Sequence, residues 1–210
     1  MRIGLIKERK IPIDTRVAIT PGNCAELIAK FIGLEIVVES SQERCFSDEE
    51  YTKVGISVVH DMSTCDVLLG VKEVPKEELI AGKTYLFFSH TIKLQPHNRA
   101  LFQNILKKNI TLIDYECLHW PNGGRILGFG NWAGIVGTYN SLLVWGKKTG
   151  DYELKPAWKC HDYEEVKKEL AKVKTDKLGI ALTGDGRVAA GSIEVLNLIA
   201  AKEEIGRAHV

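Results

Sequence analysis

Arg16, Lys72 and His90 stand in apolar frames, in DTRVAITP, LLGVKEVP and LFFSHTIK respectively. Lys72 and His90 each come at or just past the end of an apolar run of the kind that forms a buried strand. In open parallel sheets the carboxyl ends of the strands are where ligands bind. A lysine and a histidine at neighbouring strand ends can work as acid and base. An arginine beside them can hold a substrate carboxylate through two parallel bonds. Taken singly, each has a plainer reading: Arg16 as a surface ion pair, Lys72 as a solvated partner of Glu73, His90 as a capped strand end. Their common place at strand ends is what points to chemistry. His60, His97, His119 and His161 lack metal-ligand spacing with cysteines or carboxylates, so no metal site is expected. Ser89 precedes His90, but adjacent side chains on a strand face opposite ways, which argues against a Ser–His nucleophile pair.

A second chemical signal lies near the end of the chain. The apolar run LGIALTG at 178–184 leads into GDGRVAAG and then SIEVLNLIAA. Gly184, Gly186 and Ala189 fit G-x-G-x-x-G/A in the order strand, tight turn, helix. Gly184 would make the turn, Gly186 would let the backbone approach a diphosphate, and Ala189 would allow close packing. The phosphates would then lie at the positive end of the helix. An ordinary glycine-rich turn with no ligand is the other reading. The acidic residue that should follow about 20 residues on, to hold the ribose, falls near Glu203 and Glu204, and no β-branched strand precedes them.

The elements that must position these residues alternate. Apolar strands are expected at 3–6, 34–38, 67–71, 85–88 and 110–114, with helices over 23–32 and between Pro96 and Asn109. Ser47 and Glu50 form a capping box ahead of a short helix. Because the strands are continuously apolar, helices must cover both faces of a mostly parallel sheet, giving an α/β fold. Beyond GGRILGFGNWAG, a helix carries Ile135, Val136, Tyr139, Leu142 and Leu143, with Ala133, Gly134 and Gly137 small enough for a close neighbour. Lys147 to Pro156 reads as a connector, and Asp162 caps a charged helix with Glu165 at the capping-box position.

The 210 residues carry 28 Lys and Arg against 27 Asp and Glu, a net charge of +1. That balance gives no case for a nucleic acid or an anionic membrane surface as partner. Hydrophobic residues make up 45%, enough for a packed core. Five cysteines without CxxC spacing fit reduced thiols in a cytoplasmic protein. No apolar run approaches the roughly 18 residues a bilayer span needs.

At these residues the chain resembles the alanine dehydrogenase / pyridine nucleotide transhydrogenase N-terminal superfamily. IGLIKERKIPIDTRVAITP, FSDEEYTKVG and LLGVKEVP carry the general likeness. TYLFFSHTIKLQPHNRALF, LIDYECL and RILGFGNWAGIVG are more similar to the saccharopine dehydrogenase and lysine–ketoglutarate reductase branch. The resemblance implies that Lys72 and His90 are the acid–base pair, that Arg16 and Arg125 bind substrate, and that Gly184, Gly186 and Ala189 bind NAD or NADP. It implies an oxidoreductase acting on the C–N bond of an amino acid through an imine, of saccharopine type, with alanine dehydrogenase as the alternative. An inactive fragment or a ligand-binding domain is the alternative of another class.

The expected organisation is a Rossmann-like, doubly wound domain over residues 1–130 and bridging helices over 131–176. The first βα unit of an NAD(P)-binding Rossmann domain follows over 177–204. IGRAHV at the end does not resemble the family and reads as translated sequencing adapter. Residues 205–210 are therefore expected to be a non-native tail on a truncated reading frame, itself inactive. A small-molecule amino acid is the expected partner, and the oligomeric state is left open.

Overall fold

The structure, a computed structural model, describes residues 1–175 and 178–199. By contacts the chain divides into two units, Met1–Leu127 and Gly128–Val210.

The first unit is a six-stranded sheet with helices on both faces. Its strands are β1 (Arg2–Leu5), β2 (Glu35–Glu39), β3 (Ser57–Val59), β4 (Val67–Lys72), β5 (Thr84–Phe88) and β6 (Thr111–Asp114). They lie in the order β3-β2-β1-β4-β5-β6, and every pairing is parallel. This is the doubly wound order, with the strand sequence reversing between β1 and β4. Three helices belong to this unit: α1 (Pro21–Lys30), α2 (Asp48–Lys53) and α3 (Arg99–Lys107).

β2 shows why its sequence, EIVVE, is apolar without alternation. Val37 packs with Met62, Leu68, Tyr85, Phe87, Leu101 and Ile105 in one buried cluster. Ile36 and Val38 pack with Leu5, Cys24, Tyr51 and Ile56 in another. Successive side chains point to opposite faces, and both faces are covered. The expected strands and helices fall within a few residues of these bounds. The capping box forms as expected: Ser47 accepts from the Glu50 amide and Glu50 accepts from the Ser47 amide. β3, only three residues long, carries no periodic signal, and the sequence reading leaves it out.

In the second unit α4 (Gly130–Thr149) is followed by α5 (Tyr163–Leu170) and α6 (Arg187–Leu198). α4 continues past the expected connector start at Lys147 and ends at Gly150, whose φ of 75° stops the helix. α4 and α6 meet backbone to backbone. A Cβ on Gly134 would lie 2.0 Å from the Val188 carbonyl oxygen, and one on Gly191 would lie 2.0 Å from that of Asn131. Only glycine fits at either place.

One expected element is absent. Residues 178–185 form no strand, because no described segment lies alongside to complete a ladder, and Ile180 and Leu182 stay two-fifths exposed. Glu203, Glu204 and the expected tail at 205–210 lie outside the described residues. Among the described residues, no helix is long and apolar enough to cross a membrane.

Candidate active site

Lys72 is the last residue of β4, and its Cα pairs with that of Phe88 at the end of β5. The register between these strands shifts between Leu69 and Lys72, the kind of irregularity that re-aims a side chain at a strand end. Glu8, just past β1, reaches across to this end. Its carboxylate accepts from the Val71 amide at 2.6 Å and the Lys72 amide at 2.8 Å. Burial nonetheless pushes the Glu8 carboxyl above its ordinary value, the two amides opposing the rise. Glu73 pairs with Lys10 rather than with Lys72. Among the described residues the Lys72 ammonium has no hydrogen-bond or ion-pair partner, which leaves it available to a ligand.

His90 follows β5 by two residues and adopts a left-handed backbone, φ 56° and ψ 12°, uncommon for a residue other than glycine. Its Nδ1 lies 2.9 Å from Glu116 Oε2. Glu116 sits in the 3-10 turn Tyr115–Cys117 that follows β6. Its buried carboxylate also pairs with Lys93 at 3.1 Å and Arg125 at 2.9 Å. The His90 bond, with Lys93 beside it, holds the Glu116 carboxyl down at about 2. Lys93 Nζ also approaches His90 Nδ1, at 3.2 Å. The ammonium is satisfied by Glu116, and a buried carboxylate needs donors. We therefore assign the Nδ1 hydrogen to the Glu116 bond, which leaves Nε2 without a partner among the described residues. Phe88 stacks on the imidazole with centroids 6.4 Å apart and meets the Tyr115 ring edge-on at 5.2 Å. Ser89 turns instead to Asp114 and Thr91, in keeping with the argument against a Ser–His pair.

Arg16, in the loop between β1 and α1, does make a two-pronged carboxylate contact, but with its own chain. Its Nε lies 2.9 Å from Asp14 Oδ1 and its Nη2 2.5 Å from Asp14 Oδ2. The guanidinium holds the Asp14 carboxyl below its usual value, and the Lys72 charge acts the same way. Arg16 and Lys72 thus share one electrostatic neighbourhood with Glu8 and Asp14. Arg125 joins His90 through Glu116, from a strand-like bridge between His119 and Arg125.

Sequence reading passes over Glu8, Asp14, Lys93 and Glu116. For Glu116 a signal exists, since DYE follows the apolar run ITLI much as His90 follows its own strand. Glu8 offers none, because its partners lie 63 and 64 residues away.

In the second unit Gly184 has φ 90°, a conformation that favours glycine. Gly186 is the N-cap of α6 and supplies no side-chain cap. A Cβ at either glycine would meet nothing within 4 Å, so open space lies over the turn. Ala189 is buried, at 5% exposure. Uncapped amides opening a 12-residue helix, with room in front of them, suit a diphosphate. Among the described residues no group of three or more His, Cys, Asp or Glu side chains could hold a metal ion.

A family model described as alanine dehydrogenase/PNT, N-terminal domain, matches residues 4–136. The mitochondrial alpha-aminoadipic semialdehyde synthase of Rattus norvegicus is 35% identical over 187 residues, covering 79% of this chain and 20% of that protein. The saccharopine dehydrogenase [NAD(+), L-lysine-forming] of Yarrowia lipolytica is 29% identical over 220 residues, covering 97% of this chain and 59% of that protein. The chain thus spans about a fifth of the former's length and under two thirds of the latter's. Among solved structures, an L-alanine dehydrogenase superposes with a TM-score of 0.63 at 18% identity, covering 95% of this chain and 53% of that one. A transhydrogenase from Sinorhizobium meliloti gives 0.55 at 19% identity, covering 72% and 45%.

Proposed function

The chain belongs to the alanine dehydrogenase/PNT N-terminal-domain family, and from that premise we propose that it serves a nicotinamide-dependent oxidoreductase acting on the C–N bond of an amino acid. The saccharopine-type reaction, joining lysine to or releasing it from 2-oxoglutarate, is the version we favour. Its support is the 29% identity over 220 residues to a protein named saccharopine dehydrogenase [NAD(+), L-lysine-forming], whereas the likeness to L-alanine dehydrogenase lies in the fold.

The observation that carries the reading is the pair of proton-handling groups on adjacent strand ends. Among the described residues Lys72 has no competing partner, and His90 is held through Nδ1, which leaves Nε2 to act as a base. In this reading His90 takes the proton of the reacting amine while Lys72 handles the water or amine that closes or opens the imine. Arg16 binds a substrate carboxylate, taking it in place of or beside Asp14, and Arg125 binds a second one. Gly184 and Gly186 would hold the diphosphate of NAD or NADP, with Ala189 packed behind them. A nicotinamide bound there would accept or return the hydride at the carbon bearing nitrogen. The five free thiols suit a reducing compartment, and we assign the protein to the cytoplasm.

The test is a substrate screen in a polypeptide that joins residues 1–199 to a complete nucleotide-binding sheet. Saccharopine, lysine with 2-oxoglutarate, and L-alanine are each assayed with NAD and NADP. Turnover with saccharopine or its precursors, falling about 100-fold or more in Lys72→Met with cofactor binding kept, is the expected result. Turnover of L-alanine alone would replace the favoured substrate, and full activity in Lys72→Met would overturn the catalytic assignment.

A further inference from the structure

Asp114 closes β6 with its carboxylate buried, at 7% exposure, and no cation pairs with it among the described residues. A buried charge without a countercharge is costly unless both oxygens are well bonded. Both are. Oδ2 accepts from the Ser89 hydroxyl at 2.5 Å, and Oδ1 accepts from the Glu116 amide at 2.8 Å. Ser89 is fully buried. Its oxygen also accepts from the Thr91 amide at 3.1 Å and contacts the Thr91 hydroxyl at 2.8 Å. That bond arches over His90, tying the residue before it to the residue after it. From the far side, the buried Asn98 amide donates to the His90 carbonyl at 3.3 Å.

One carboxylate therefore holds the backbone on both sides of the His90–Glu116 pair, Oδ2 through Ser89, the residue before His90, and Oδ1 through the Glu116 amide. We propose that Asp114, acting through Ser89 on one side and the Glu116 amide on the other, is the positioning residue that keeps His90 in its left-handed turn with Nδ1 on Glu116 and Nε2 free. A neutral group could satisfy either bond, but only a side chain with two acceptor oxygens, or one that reverses the Ser89 bond, satisfies both. The proposal rests on reading His90 as a proton-transfer group. What Asp114 does to the ring is nevertheless measurable without any reaction.

The experiment uses the full 210-residue chain labelled with nitrogen-15, and long-range proton–nitrogen spectra of its imidazoles above the histidine titration range. The His90 signals are identified by their loss in His90→Gln. The unaltered chain should show one His90 tautomer, with hydrogen on Nδ1. Ser89→Ala and Asp114→Ala should show a mixture of the two tautomers. Asp114→Asn should restore the single form, because its oxygen still accepts from the Glu116 amide. Its nitrogen can donate to Ser89, whose own proton turns to Thr91. A folded Ser89→Ala chain that keeps the single Nδ1–H tautomer would overturn the proposal. A reading on the unaltered chain needs no variant: the Ser89 hydroxyl proton should exchange slowly enough with water to be seen. Exchange as fast as that of a surface serine would equally overturn the proposal. Loss of turnover in Lys72→Met speaks only to the reaction, and the tautomer only to Asp114.

Discussion

Glu116 is the residue on which the candidate site converges, and its acid behaviour follows from its partners. Its folded carboxyl is held at about 2 against an ordinary 4.5, so the native state favours the ionised form. The stabilisation is complete above about pH 4.5 and is lost as the pH falls through about 2. Glu116→Gln should therefore flatten the fall in stability across that window while the unaltered chain keeps its slope. Denaturant midpoints measured at several pH values decide it, and parallel curves for the two proteins would refute the assignment. Sequence alone led to Lys72 and His90, because an ionisable residue after an apolar run is visible in one dimension, and to Arg16 through its apolar frame, whereas Arg125 came only with the family resemblance. Of the carboxylates that hold them, Glu116 left a trace in DYE after ITLI, while Glu8 left none. Glu116 meets His90 across 26 residues and Glu8 meets Lys72 across 64, distances that only sheet order resolves. Arg16 shows a subtler limit. Its chemistry was readable, but that Asp14 already fills its fork depends on a local turn.

Among the elements, the α4–α6 contact makes the sharpest demand. Gly134→Ala or Gly191→Ala would drive a methyl into a backbone carbonyl at 2.0 Å, and an overpacked contact that cannot relax costs about 3 kcal/mol. Gly137, on the same helix, faces open space, and Gly137→Ala should stabilise by about 0.5–1 kcal/mol through helix propensity. Thermal melts of the three variants should move in opposite directions, and a similar loss in all three would contradict the packing. The cluster of small residues in α4 was legible, but its partner helix was not. Local signals fared well where they were chemical, as with Ser47 and Glu50. They failed where an element exists only through its neighbours: β3 was missed, and the apolar run at 178–184 has no ladder to join among the described residues.

Across the whole molecule, the sheet order of the first unit was legible as a class and not as a register, since continuous apolar strands imply two covered faces but not which strand lies beside which. Both buried clusters that flank the sheet lie within Met1–Leu127. A chain ending at residue 127 should therefore fold cooperatively by itself. Dispersed amide signals and a single melting transition would bear that out, and a molten, non-cooperative chain would not. The topology carries one more consequence, through Glu8. Between β1 and β4, where the strand order reverses, a doubly wound sheet normally opens its crevice to a ligand. Here the chain's own carboxylate lies across that seam, with both oxygens on the amides of Val71 and Lys72. A phosphate arriving there would find those donors taken and a like charge in place. The first unit thus keeps the doubly wound architecture while the amide donors at its seam are taken by the chain's own carboxylate.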